Sequence, residues 1–249
     1  MSWLRCGENR PWAARRLVCF PHAGGSAAFY RAWSRALPSV EVHAVQYPGR
    51  ADRIAEPYVE DVARMARHVV QAVAPLLDRP LALFGHSMGA LVAYETARLL
   101  EDRGAVPAHL FVSGARPAHD PDRVDEAVAG RDDDGFVAAL LALGGSDAEL
   151  LADPDMRELV LPYVRSDFRA VESYRHRPGP PLAAPVTALI GAEDPKVDAA
   201  RAEGWRDLTR GGFALRALPG DHFYLVPSQE LVMEEIRARL GVPAATGGG

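Results

Sequence analysis

The sequence predicts an α/β fold, a mostly parallel sheet with helices on both faces and a helical lid inserted late in the chain. Three observations lead there. Short, nearly all-apolar runs recur at residues 17–20, 40–45, 81–84, 109–113, 185–190 and 213–218, as expected of strands buried on both faces. Stretches with helical spacing separate the early runs, and strand–helix alternation implies parallel pairing through crossover helices. The alternation lapses from 116 to 181, where helical patches stand between loop signals, and then resumes. A length of 249 residues with 48% hydrophobic content suits a single domain over 1–249 with a sizeable core.

Residues 1–15 are polar, contain Pro11 and several arginines, and are expected to wrap the surface before the first core strand. Residues 17–20 form that strand, bounded by Arg16 and Pro21. The tight loop Pro21-His-Ala-Gly-Gly-Ser26 follows, and Phe29, Trp33 and Leu37 at i, i+4 and i+8 predict a helix. Residues 40–45 are the next strand, ending at the turn signal Tyr47-Pro-Gly-Arg50. Val59, Val62, Ala63, Ala66, Val69, Val70, Val73 and Leu77 mark a long amphipathic helix with Arg64, Arg67 and Gln71 outside, stopping before Arg79-Pro80. The strand at 81–84 leads into a helix bearing Leu91, Val92, Tyr94 and Leu99, which Gly104 closes, and 109–113 is a further strand.

The insertion at 116–181 carries Phe136, Val137, Leu140 and Leu141, then Leu151, Met156, Leu159, Val160, Tyr163 and Val164, and ends at Arg177-Pro-Gly-Pro-Pro181. Placed between two sheet strands, it has the layout of a lid over their carboxyl ends, where open α/β sheets bind ligands; a purely structural subdomain is the alternative. Residues 185–190 restore the strand pattern, Trp205 and Leu208 lie on the next helix, and 213–218 is the last strand. A final helix over 228–240 is expected to be N-capped by Ser228, with Glu230 in its first turn. Residues 244–249 read as a flexible tail.

Gly85-His-Ser-Met-Gly89 between strand and helix is G-x-S-x-G in the context that gives it meaning. A serine at the tip of a sharp strand-to-helix turn has its hydroxyl clear of the backbone, and a side chain at either flanking glycine would collide with its neighbours. The bland alternative is a βα turn that happens to carry a serine. With Ser87 as nucleophile, the N–H of Met88 at the helix start is one oxyanion donor. The His22-Ala-Gly-Gly25 loop offers Ala23 as the second, its glycines letting the backbone bend. A plain or phosphate-binding turn is the rival, although neither phosphate-loop spelling is present. His22 itself is expected to brace the loop by hydrogen bonding.

Of eight histidines, only His222 lies in a loop directly after the last predicted strand. The orienting acid should follow a sheet strand and fall between Ser and His in chain order. Asp194 does so, with Asp120 as the fallback; Glu193, Asp198 and Asp221 are neighbours expected to point elsewhere. The order Ser87, Asp194, His222 is that of the α/β-hydrolase fold.

Five blocks then become specific: Cys19-Phe-Pro-His-Ala-Gly-Gly-Ser26, Gln46-Tyr-Pro-Gly-Arg50, Gly85-His-Ser-Met-Gly89, Gly191-Ala-Glu-Asp-Pro195 and Gly220-Asp-His-Phe-Tyr224. Together they resemble the stand-alone type II thioesterases of modular polyketide and nonribosomal peptide synthesis, over residues 16–240. The resemblance implies an editing hydrolase that frees stalled or wrong acyl groups from the phosphopantetheine arm of an acyl or peptidyl carrier protein. It requires no metal or organic cofactor. A small-ester esterase or lipase would use the same three residues, and a catalytically silent hydrolase-fold binding protein would lack their chemistry.

Carrier proteins are usually acidic, and Arg165, Arg169, Arg175 and Arg177 crowd the end of the insertion, so part of this cluster is expected to meet the carrier; a solvated arginine face is the alternative. A net charge of -5 and a pI near 5.9 weigh against nucleic acid or an anionic membrane as the main partner. The N-terminus has no continuous apolar signal region and no apolar run can span a bilayer, so a soluble, cytoplasmic protein is expected; a monomer is expected separately. Cys6 and Cys19 lie in no metal-ligand spacing, and Cys19 reads as a buried thiol.

Overall fold

The computed structural model describes residues 3–122, 127–143 and 151–243. Strands β1 (Leu4–Cys6), β2 (Arg15–Phe20), β3 (Val40–Val45), β4 (Leu81–His86), β5 (His109–Ser113), β6 (Val186–Gly191) and β7 (Phe213–Leu218) form one sheet in the order β1-β3-β2-β4-β5-β6-β7. Every pairing is parallel except β1 with β3. The helices are α1 (Trp33–Ala36), α2 (Val62–Val73), α3 (Met88–Glu101), α4 (Asp133–Ala142), α5 (Pro154–Ser173), α6 (Ala199–Ala202) and α7 (Gln229–Leu240).

Strands β2 to β6 are buried on both faces because successive strand residues alternate between two cores, whereas the edge strands β1 and β7 are half-buried to exposed. Val18, Phe20, Leu83 and Val112 meet α2 and α3 through Val69, Val73, Val92 and Ala97. Leu17, Cys19, Phe84 and Phe111 meet the other layer, with Trp33, Val232 and Ile236. Between β5 and β6, α4 and α5 make a smaller core of their own from Phe136, Leu140, Leu151, Leu161 and Val164. Asp132 and Asp153 start these two helices by accepting N–H bonds from Gly135 (2.8 Å) and from Asp155 (2.9 Å) and Met156 (3.1 Å), leaving fewer orphan donors in each first turn.

Three expectations are corrected. Residues 4–6 are an antiparallel edge strand, with the Gln46 N–H donating to the Trp3 carbonyl at its start (2.9 Å). The helix expected around Trp33 is a 3-10 turn, Ala27–Tyr30, and the single turn of α1; a length so short gains little from helical hydrogen bonding, and Tyr30 and Trp33 are fixed by burial against Phe84 instead. Ser228 precedes α7 without capping it, since its hydroxyl donates to the Pro219 carbonyl (2.8 Å). The expected tail at 244–249, and segments 123–126 and 144–150 of the insertion, lie outside the described residues. Among those described, no helix is long and apolar enough to cross a membrane.

Candidate active site

β4 ends at His86 and α3 begins at Met88, leaving Ser87 in the turn with φ +54° and ψ −118°. That conformation is costly for a residue with a side chain and persists only where its surroundings enforce it. They do so by close approach: a Cβ on Gly85 would lie 2.1 Å from the Gly89 carbonyl oxygen, and one on Gly89 would lie 2.0 Å from that of Phe20. The Ser87 N–H donates to the Ser113 carbonyl (2.8 Å), tying the turn to the end of β5.

The loops after β6 and β7 supply the other two groups. His222 Nδ1 lies 2.8 Å from Asp194 Oδ2, with the two side chains 5% and 0% exposed. An ionised carboxylate only accepts, so Nδ1 carries the hydrogen and Nε2 is left as the basic nitrogen. The backbone N–H of Lys196 donates to Asp194 Oδ1 (2.8 Å) and keeps the carboxylate turned. A Cβ on Gly191 would lie 2.1 Å from the Asp221 carbonyl oxygen, so only glycine lets the two loops come this close.

Glu193 stitches these loops together. Its N–H donates to the Gly220 carbonyl and its carboxylate accepts the Gly220 N–H, both at 3.0 Å. The other candidate acids are occupied locally. Asp198 accepts from the Arg201 N–H at the start of α6 (2.8 Å), Asp221 from the Phe223 N–H (2.8 Å) and Asp120 from the Asp122 N–H (2.9 Å).

Ser87, His222, Ala23 and Met88 line one cavity, together with Leu91 and Val171. A second, adjoining cavity shares Ala23, Ser87 and His222 and continues along Leu140, Leu151, Val164 and Phe168 of the insertion. The insertion therefore roofs the carboxyl ends of the strands with apolar side chains. Among the described residues, no hydrogen bond joins Ser87 to His222, and the N–H groups of Ala23 and Met88 have no acceptor.

Beneath His222 sits a fully buried His86, its ring 5.0 Å from that of His222. His86 Nδ1 meets the Ser113 hydroxyl (2.9 Å), which meets the Tyr224 hydroxyl (2.7 Å). Burial, reinforced by the neighbouring His222 and His22 imidazoles, holds the His86 pKa well below the ordinary imidazole value. Burial also lowers His22 to about 3, with His222 and Arg50 adding to the shift. Both rings are neutral at physiological pH. His22 does not brace its loop as expected: its buried Nδ1 has no hydrogen-bond partner among the described residues. The ring is wedged edge-on against Phe29 and Phe223, and only its carbonyl holds the loop, accepting from the Gly25 N–H (2.9 Å).

The arginine cluster divides. Arg165 is committed within the insertion, donating to the carbonyls of Ala129 and Arg131 and to Asp133, each at 2.6 Å. Arg169 is exposed and paired with Glu60 (3.2 Å), Arg175 donates to the Glu172 and Tyr174 carbonyls from an exposed position, and Arg177 is exposed. Cross-strand pairing also brings Cys6 beside His43 and Glu41, with ligand atoms within 4.8 Å of one another, a juxtaposition hidden from sequence spacing. Glu41 is already engaged there by Arg16 (2.8 Å) and the Arg10 N–H (3.0 Å).

The family model described as Thioesterase domain matches residues 15–240. Thioesterase PikA5 of Streptomyces venezuelae is 50% identical over 227 residues, spanning 90% of this chain and 80% of that protein. The type II thioesterase BorB from the borrelidin biosynthetic cluster has a similar structure, with TM-score 0.88 and 39% identity over 96% of this chain and 97% of BorB. RedJ, the thioesterase of the prodiginine pathway in Streptomyces coelicolor, matches with TM-score 0.86 and 40% identity over 92% and 91% of the two chains.

Proposed function

Because the chain belongs to the thioesterase-domain family, we propose that it is an editing enzyme that hydrolyses acyl groups from the phosphopantetheine arms of acyl or peptidyl carrier proteins, through an acyl-enzyme on Ser87. The observation that carries this is the buried His222–Asp194 hydrogen bond (2.8 Å) at the wall of the cavity that the strained Ser87 also lines. Apo enzymes often hold nucleophile and base farther apart than the reacting complex does.

His222 Nε2 takes the Ser87 proton as Oγ attacks the thioester carbonyl. The Ala23 and Met88 N–H groups receive the negative oxygen, each such donor being worth about 10²–10³ in rate. The tetrahedral species collapses, the C–S bond breaks and the imidazolium returns its proton to the departing sulfur. Water then attacks the Ser87 ester as His222 removes its proton; collapse expels the Ser87 oxygen, which takes that proton back, and the acid leaves. Asp194 holds the imidazole tautomer and steadies the imidazolium throughout. The insertion serves as the lid, its apolar residues accepting the acyl chain.

Arg169, Arg175 and Arg177 are the candidates for meeting an acidic carrier, with Arg165 acting from within the lid. We place the enzyme in the cytoplasm as a monomer. Mass spectrometry of a panel of acyl-carrier proteins tests the proposal: wild type should release the acyl group and Ser87→Ala should not. Release by both, or hydrolysis of p-nitrophenyl esters in place of acyl-carrier proteins, contradicts it.

A further inference from the structure

The block Gln46-Tyr-Pro-Gly-Arg50 contributes no group to the reaction above, yet its polar side chains close on the loop that carries Ala23. Gln46 Oε1 accepts the Ala27 N–H (3.1 Å), and the Arg50 guanidinium reaches the Gly25 carbonyl (3.4 Å). Arg50 lies over the rings of Tyr47 and Tyr163, 5.4 and 5.0 Å from their centroids. Both its terminal nitrogens bind Asp167 of α5, Nη2 to Oδ1 at 2.7 Å and Nη1 to Oδ2. The Arg50 and Asp167 side chains are 4% and 1% exposed.

Asp167 Oδ2 also accepts the Gly24 N–H (2.8 Å). That N–H belongs to the peptide joining Ala23 to Gly24, so holding it fixes the plane directly after the Ala23 N–H. Gly24 is at φ +80°, and a Cβ there would lie 3.0 Å from Val164, also on α5. The oxyanion loop and the lid helix therefore touch through one buried carboxylate and one side chain a turn away.

We propose that Arg50 and Asp167 form a latch by which the seating of α5 sets the oxyanion loop, so that the Ala23 N–H faces the thioester only when the lid helix is docked. This rests on Ala23 being an oxyanion donor. Asp167 is a positioning residue: it touches neither Ser87 nor His222 and acts through the Gly24 peptide. With α5 seated, the carboxylate has its guanidinium and its backbone donor. With α5 displaced, both charges must be rehydrated and the loop loses its only side-chain acceptor from the lid among the described residues. A buried ion pair resists half-measures, since separating its partners inside the protein leaves uncompensated charge. The coupling is thus between two arrangements, docked and undocked.

The test compares wild type, Asp167→Ala and Asp167→Asn in kcat and KM for an acyl-N-acetylcysteamine thioester, and in affinity for an acyl trifluoromethyl ketone. The ketone's adduct with Ser87 places its oxygen where the oxyanion sits, so its affinity follows transition-state binding. Asp167→Ala should lower kcat and ketone affinity together by about 10²-fold, the loss of one donor, with KM within about threefold. Asp167→Asn keeps an oxygen that can accept the Gly24 N–H while losing the ion pair, and should lose only about tenfold in both. Should the alanine variant not fold, the asparagine variant decides alone. Unchanged kcat and ketone affinity in folded Asp167→Asn, a loss confined to KM, or a fall in melting temperature without one in kcat overturns the latch. Ser87→Ala separates the two ideas: an active wild type with an inactive Ser87→Ala preserves the proposed function even if the latch fails, whereas equal activity in both removes that function first.

Discussion

His22 and His86 are held neutral by burial, and this has a consequence for stability in acid. In an unfolded chain each would titrate near 6.5, whereas in the folded protein His22 is lowered to about 3 and His86 lies well below its usual value. As pH falls below about 6.5, the unfolded state takes up protons that the folded state refuses, so stability drops with falling pH. Burial lowers His43 and, to about 4, His109 as well, which adds to the same trend. The melting temperature should therefore decline steadily from pH 6.5 to pH 4.5, and a flat profile over that range would contradict the assignment of these rings as neutral. Glu41, lowered to about 2 mainly by Arg16 against the opposing effect of burial, contributes its own loss only at lower pH.

At this same scale the sequence was partly legible. The sequence points to Ser87, Asp194 and His222 because each stands after a strand in a glycine-marked loop. Asp120 also falls between Ser87 and His222 in chain order, and the distinction between the two acids comes only from the contact of His222 with Asp194. Glu193, His86 and Asp167 were not found in their structural roles. Each works through a contact made across the fold, with Gly220, with Ser113 and with Gly24 and Arg50, and nothing in the local pattern around a lone carboxylate or imidazole announces such a partner.

Among the elements, the insertion is where charge and packing separate. Arg165 lies 4.4 Å from the Phe136 ring centroid and ties the start of α4 to α5, so Arg165→Ala should loosen the insertion that we propose as the lid. KM should rise several-fold for both acyl-carrier protein and acyl-N-acetylcysteamine, in keeping with lost packing as well as lost charge. Charge reversal at Arg169 and Arg175 should weaken only the carrier reaction, with stronger effects at low salt, because steering between exposed charges is screened. Kinetics with both substrates at two salt concentrations check this, and equal effects of the reversal on both substrates would remove the carrier role. The core strands were legible because burial on both faces writes continuous apolar runs. The three-residue β1 was not, since an edge strand of mixed composition carries no such run, and it is defined by pairing with β3. The turns at 27–36 showed helical spacing that burial of aromatic rings satisfies without a long helix.

Across the whole molecule, three segments far apart in the chain, following β4, β6 and β7, converge at one rim of the sheet beneath α4 and α5. Parallel topology does this without special provision, because every crossover returns the chain so that successive loops emerge on the same edge. The sheet order was not readable beyond its mainly parallel character, and neither was the pairing of the two cavities at Ser87, since both depend on how the insertion folds back over the sheet. In the proposed mechanism this convergence makes Ser87 the nucleophile, and the proposal is tested most directly by labelling the folded protein with a fluorophosphonate and mapping the adduct by mass spectrometry. One phosphonyl group should attach at Ser87, none should attach to Ser87→Ala, and His222→Ala should slow labelling by at least about 10²-fold. Labelling at another residue, or a rate unaffected by loss of His222, would contradict the account.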